Sequence, residues 1–427
     1  MNKKAKSLVP KLRFPEFRDS REWDKIKLID TADKKKKWSF TGGPFGSNLK
    51  SSDYTNTGVR VIQLQNIGDA KFVDNYKIFT SDKKADELLS CNIYPGDIIL
   101  SKMGDPVGRA SLIPNKHSRY VMCSDGIRLV VNEDLYNKYF IYSLINSHQF
   151  RSTIENNSTG STRKRISLDV LKNLPMPVPH KHEQQKIADC LSSLDEIITL
   201  EDEKHQAYIH HKKGLMQKLF PSKGETVPKL RFPEFRDSGE WEEQTLGQVA
   251  HYENGKAHEQ DINEQGKYIV ANSKFISTAG EVKKYSDTAN LLANTGDILM
   301  VLSDVPNGRA IAKCFFVYKD NTYTVNQRIC KLTPKKIVGL FLYYIVNRNN
   351  YFLAFDDGVK QTNLKKDDVL NCPILLPKNI KEQQKIADCL SSLDEIIIAQ
   401  AQKIDTLNAQ KKGLMQKLFP STDEVSV

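Results

Sequence analysis

Residues 183–198 read EQQKIADCLSSLDEII, and residues 382–397 read the same. Repetition has to be settled before anything else, because a missed repeat miscalls the whole fold. A second block, KKGLMQKLFPS, stands at 212–222 and again at 411–421, at the same offset of 199. Upstream, VPKLRFPEFRDSREW at 9–23 returns as VPKLRFPEFRDSGEW at 227–241, changed only at Arg21 versus Gly239 and offset by 218. Between these blocks only a skeleton persists. Gly96, Asp97 and Ile98 match Gly296, Asp297 and Ile298, and Pro106, Gly108, Arg109 and Ala110 match Pro306, Gly308, Arg309 and Ala310. Arg128 matches Arg328 at the same offset of 200, and Asn173, Pro175 and Pro179 match Asn371, Pro373 and Pro377 at 198. The chain therefore reads as a tandem repeat of one domain-plus-helix unit, with the second copy 18 residues shorter between Trp241 and Gly296. Drift after duplication would scatter changes everywhere. A fixed frame around divergent domains points instead to two readers of different targets on one scaffold.

The fixed blocks carry a helical period. Ile187, Leu191, Leu194 and Ile198 step four-three-four, the a/d spacing of a coiled coil, and Ile386, Leu390, Leu393, Ile397, Ile404 and Leu407 extend the same frame in the second copy. Ile197 and Ile396 widen the apolar stripe, as do Ala188, Met216, Ala387 and Met415, so either the domains or partner helices must cover it. Gly214 and Gly413 weaken the last turns, and Pro221 and Pro420 close the helices. Acids lie early on each helix (Asp195, Asp394) and lysines late (Lys212, Lys411), so antiparallel packing sets opposite charges together. An answer to each helix's own macrodipole is the other reading of that pattern.

With 427 residues and 39% hydrophobic side chains, the chain has room for two or three cored domains. Its net charge is +11, and since the helical spans 182–220 and 381–419 are nearly neutral, the excess falls on the domains. That favours a polyanionic partner. No apolar run approaches the roughly 20 residues of a membrane span. The N-terminal lysines precede no apolar stretch of a signal peptide. Seven widely spaced cysteines read as reduced thiols of a cytoplasmic protein.

Each domain reads as α+β. Strands are expected in VRVIQLQNI (59–67), GDIILSKMG (96–104) and IRLVVN (127–132), then a helix in NKYFIYSLINSHQF (137–150). The second copy repeats this with KYIVANSKFI, GDILMVLS and QRICKL as strands and LFLYYIVNRNNYFL as the helix. Nucleic-acid readers place cations and amides on loops at a groove. In the first domain these are Lys35, Lys36 and Lys37; Ser47, Asn48 and Lys50; Gln63, Gln65 and Asn66; and Thr162, Arg163, Lys164 and Arg165. In the second they are Asn254, Lys256, Asn272 and Lys274, then Lys360, Gln361, Asn363 and Lys365. The loops 158–165 and 357–366 occupy the same place in the two copies. Any one such residue is as readily an ordinary solvated side chain. Arg109 and Arg309 suit either phosphate or an acid of their own domain.

Catalytic motifs are missing. There is no P-loop, no dinucleotide glycine fingerprint, no amino-methyltransferase tetrapeptide, no Pro-Asp before the Glu-x-Lys at 281–283 and no C-x-x-C. No metal site is expected, although His205, His210 and His211 share a helix.

The repeated EQQKIADCLSSLDEII, KKGLMQKLFP and KLRFPEF-x-x-x-x-EW blocks resemble those of the specificity subunit of type I restriction-modification systems, over essentially the whole length. The resemblance implies two target recognition domains, 1–181 and 221–380, each with its lead-in segment. It also implies two spacer helices, 182–220 and 381–420, antiparallel and pseudo-twofold, before a tail at 421–427. Each domain would read one half of a bipartite double-stranded DNA target. Two methylation subunits would dock on the helices, and restriction subunits would join them for defence against foreign DNA. Those partners would carry S-adenosylmethionine, ATP and magnesium, and this chain no cofactor. A self-contained methyltransferase-nuclease and a scaffold or RNA-binding repeat protein are the alternatives.

Overall fold

Ile98, Ile99 and Leu100, like their copies Ile298, Leu299 and Met300, make a strand that is apolar on both sides. Such a strand has to be covered on both faces. The computed structural model describes residues 8–258 and 261–420 and meets that requirement twice; the expected tail 421–427 lies outside the described residues. The chain forms two compact units, Met1–Glu203 with Gln402–Val427, and Lys204–Ala401.

In the first unit an antiparallel sheet runs in the order Phe40–Gly42, Gly126–Leu129, Ile98–Ser101, Ala110–Leu112. A second sheet runs Tyr54–Thr55, Ile78–Thr80, Val59–Ile62, Tyr120–Met122, Asn92–Ile93, with one parallel pair at its centre. Side chains alternate across a strand. Ile98 and Leu100 therefore enter a core with Trp23, Phe140 and Ile187, while Ile99 enters another with Val61 and Val121. The second unit repeats both sheets. One is Ala250–Asn254, Ile329–Pro334, Ile298–Val301, Cys314–Phe316; the other is Tyr285–Ser286, Tyr268–Ala271, Tyr323–Val325, Leu292–Ala293. The fold is α+β in each. The counterpart of Tyr54–Thr55 shrinks to a single bridge, Ile262 opposite Ser286, where Tyr54 lies opposite Thr80. The shortening is split, since the offset is 218 at Trp23/Trp241, 209 at the laddered pair Ile62/Ala271 and 200 at Asp97/Asp297.

The long helices span Lys181–Leu219 and Ile380–Leu418, each 39 residues and unbroken past Gly214 and Gly413. In the first unit Asp195 accepts from Lys411, and Glu201 accepts from Lys403 at 2.5 Å, so the paired segments run antiparallel. In the second unit Lys212 reaches Asp394 at 2.5 Å, and Leu219 shares a core with Ile386 and Leu390. Tyr139 and Tyr344, which are not at matched positions, donate to the same Asp195 and Asp394. Burial, reinforced by those carboxylates, raises both phenols well above their ordinary values and keeps them protonated donors.

Several residues of the fixed blocks make the same contacts in both copies. Arg13 of the lead-in forks onto Glu183 at 2.8 and 2.7 Å, and Arg231 onto Glu382 at 2.7 and 2.8 Å, both pairs being buried. Gln184 accepts from the Asn137 N–H and donates to the Pro179 carbonyl; Gln383 does the same with Val338 and Pro377. Ala188 and Ala387 are buried in the domain cores, whereas Ile197 and Ile396 stay exposed. The domains thus cover one flank of the apolar stripe and leave the other open.

Several sequence expectations need correction. The strand at 59–67 ends at Ile62, because the Asn66 side chain accepts from the Gln63 N–H and closes a 3-10 turn, Leu64–Asn66. The helix at 137–150 is two, Lys138–Ile145 and His148–Asn156, and Ser147 caps the second. Likewise 340–353 splits into Gly339–Val346 and Asn350–Leu353. KYIVANSKFI is a strand only to Ala271; Asn272 then caps a short helix, Ser273–Ser277.

The skeleton match is also displaced. Arg128 lies opposite Ile99, but the residue opposite Leu299 is Lys331, not Arg328. Gly108 donates to Ser101 and, in the second unit, Ala312 donates to Val301. Both adopt left-handed backbone, at φ 72° and 53°, so the Pro-x-Gly-Arg-Ala string at 306–310 stands four residues ahead of the place its twin occupies.

Candidate nucleic-acid interface

At one end of each central strand the loops converge. In the first unit Cys123 donates to Ile62, Lys102 to Asp125 and Gly43 to Gly126, which brings three loops onto one face. A Cβ on Gly43 would stand 1.7 Å from the Cys123 carbonyl oxygen, so only glycine allows that approach. Met103–Gly104 pairs with Lys164–Arg165 as a two-stranded ribbon. Arg109 donates to the Leu64 carbonyl at 3.5 Å and so leans on the turn that carries Gln63 and Gln65.

The second unit assembles the same face. Asn326 donates to Ala271, Leu302 to Arg328 and Gly255 to Ile329. A Cβ on Gly255 would stand 2.0 Å from the Asn326 oxygen, matching Gly43. Ser303–Asp304 pairs with Thr362–Asn363, and Asn307 donates to the Gly358 carbonyl at 3.0 Å.

The residues singled out from sequence divide accordingly. Ser47, Asn48, Lys50, Gln65, Thr162, Arg163 and Arg165 are exposed on the loops of the first face. Gln63 is half-buried and donates to the Tyr54 hydroxyl at 3.2 Å. Lys164 pairs with Glu155 at 2.6 Å and holds that carboxyl below its ordinary value. Asn254, Lys256, Lys274, Lys360, Gln361, Asn363 and Lys365 are exposed in the second unit. Gln361 donates to the Ser303 hydroxyl at 2.7 Å, and Asn272 is partly committed as a helix cap. The backbone N–H groups of Lys360 and Val359 hold the Asp357 carboxyl below its usual value.

Two expectations fail on geometry. Asn66 is fully buried, and its amide donates to the Val73 and Tyr76 carbonyls at 2.9 Å, so it shapes the turn and does not reach a ligand. Lys35, Lys36 and Lys37 do not join the loops. Lys35 pairs with Asp134 at 2.8 Å, and the Asp134 carbonyl takes Lys181 at the start of the long helix, at the opposite end of the strand Gly126–Leu129 from Asp125.

Arg151 is a further cation, close to Arg109. Its guanidinium lies 3.4 Å from Asp69, and burial, with Arg109 nearby, pulls its pKa below the ordinary value. Nothing in the string around it marks that burial. Among the described residues no group of His, Cys, Asp and Glu is arranged to hold a metal ion, and no helix is long and apolar enough to cross a membrane.

A family model described as type I restriction modification DNA specificity domain matches residues 21–210 and 238–409. The MjaVIII type I specificity subunit of Methanocaldococcus jannaschii is 24% identical over 303 residues, covering 66% of this chain and 69% of its own. The putative MjaX specificity subunit of the same organism is 21% identical over 388 residues, covering 85% and 86%. Among solved structures, the S subunit of a type I restriction-modification system from M. genitalium matches with a TM-score of 0.58 at 18% identity, over 96% of this chain and 99% of that one. That likeness carries the fold.

Proposed function

The chain belongs to the type I restriction-modification DNA specificity family, and from that premise we propose that its two loop faces read the two halves of a bipartite double-stranded DNA target. The observation that carries the reading is the recurrence of one loop face, on one backbone frame, with different cations and amides on it. The proposed contacts are Ser47, Asn48, Lys50, Gln63, Gln65, Thr162, Arg163, Lys164 and Arg165 on one face. On the other they are Asn254, Lys256, Asn272, Lys274, Lys360, Gln361, Asn363 and Lys365. The subunit selects sequence and leaves chemistry to its partners. Two methylation subunits using S-adenosylmethionine would modify adenine, and restriction subunits using ATP and magnesium would cleave. The exposed Ile197 and Leu200 on the first long helix, and Ile396 on the second, support docking of those subunits there.

The test is genome-wide methylation mapping with and without the gene. A two-part adenine motif should disappear on deletion; no change in any such motif would sink the proposal. Exchanging residues 24–180 for another domain of this kind should rewrite one half-site and leave the other intact.

A further inference from the structure

At one matched backbone position the two faces carry opposite charge. Asp125 directly precedes the strand Gly126–Leu129, and its carbonyl accepts from Lys102, the residue after the central strand, at 2.7 Å. Arg328 directly precedes Ile329, and its carbonyl accepts from Leu302, again the residue after the central strand, at 2.9 Å. The ribbon matches too: Arg165 lies opposite Met103, and Asn363 opposite Ser303. Where the first face has Asp125 and Arg165, joined at 2.6 Å, the second has Arg328 and Asn363. Arg328 is exposed, and its guanidinium has no ion-pair partner among the described residues. The offset of 200 hid this by aligning Arg328 with Arg128, which is buried against Asp97 at 2.7 Å.

A bare carboxylate on a DNA-facing surface is repelled by phosphate. Asp125 stands there neutralised by Arg165, and keeps lone pairs that accept from the amino group of cytosine or adenine. An unpaired guanidinium fork has the opposite chemistry. Its two parallel N–H groups match O6 and N7 of guanine, which no other base presents together in the major groove. We infer that this position sets specificity in both half-sites, with Arg328 reading a guanine in one and the Asp125–Arg165 pair reading an amino-bearing base in the other. The inference rests on the bipartite reading proposed above and adds which residues discriminate.

The experiment maps methylated motifs made by the complete complex, with its methylation subunits, carrying R328Q, R328K or the double change D125A with R165Q. Thermal unfolding of the three variants checks folding. R328Q should relax one guanine in one half-site, with discrimination falling roughly 5- to 150-fold. R328K keeps the charge but lacks the fork and should relax the same guanine with little change in salt dependence. The double change should alter one position in the other half-site only. An unaltered motif with either arginine variant would overturn the inference. So would a uniform loss of affinity at all sites with a shallower salt slope, the mark of a phosphate contact. A wild-type complex that produces no two-part motif would instead overturn the bipartite reading itself.

Discussion

Glu183 and Glu382 stand 199 residues apart in sequence and meet matched partners, Arg13 and Arg231, with the same two-pronged geometry. Arg128 and Arg328 stand 200 apart and share nothing: one is buried against Asp97, the other exposed on a loop face. In the first pair each charge is held by its partner, so a change at one is felt at the other. In the second pair Arg128 is held by its carboxylate inside the sheet, and only Arg328 stands where the ladder carries the fold and the side chain is free. Identity in the long repeated blocks goes with shared packing, whereas a letter that recurs by count inside the domains does not.

The largest effect should come from the frame. Arg13→Ala or Glu183→Ala leaves a buried partner charge unpaired and should cost the first unit about 3–5 kcal/mol, measured by denaturant unfolding. Arg231→Ala should match it; a cost under half as large would break the equivalence of the two clamps. A smaller effect is expected at the carboxylates shared with the domain tyrosines. Tyr139→Phe and Tyr344→Phe each remove a hydrogen bond to a charged acceptor and should cost about 1.5–3 kcal/mol. Equal losses would show that unmatched tyrosines serve matched acids equally well. The smallest effect should come from the late helix glycines. A Cβ at Gly214 or Gly413 meets nothing within 4 Å, so Gly214→Ala and Gly413→Ala should each raise stability by about 0.4–1 kcal/mol. Destabilisation would mean that those turns need glycine for a reason outside the helix.

Much of the frame is legible in the string. The a/d spacing around Ile187 and Ile386 gives the helices, and acids facing late lysines give their sense. The paired loops 158–165 and 357–366 can be located from their place before the Asn-x-Pro exits. The faces were less legible. Asn66 looks like a reader in sequence, but three backbone groups claim its side chain. Lys35, Lys36 and Lys37 look like a phosphate grip, yet the strand carries them to the other end of the domain. The Pro-x-Gly-Arg-Ala string recurs by count, while the hydrogen-bond ladder puts Lys313 in the place of Arg109, since the carbonyls of these two residues accept from Val301 and Ser101.

The sequence by itself determined the duplication, the α+β class, the two long helices and the placement of the positive excess on the domains. Those follow from local periodicity, composition and repetition, which need no knowledge of what lies across a sheet. Only the tertiary structure decided which residues are equivalent between the copies and which side chains share a face. Equivalence in a sheet is fixed by which N–H meets which carbonyl, and loop insertions and deletions, such as the four residues gained before Ala312, shift the residue count without shifting the ladder.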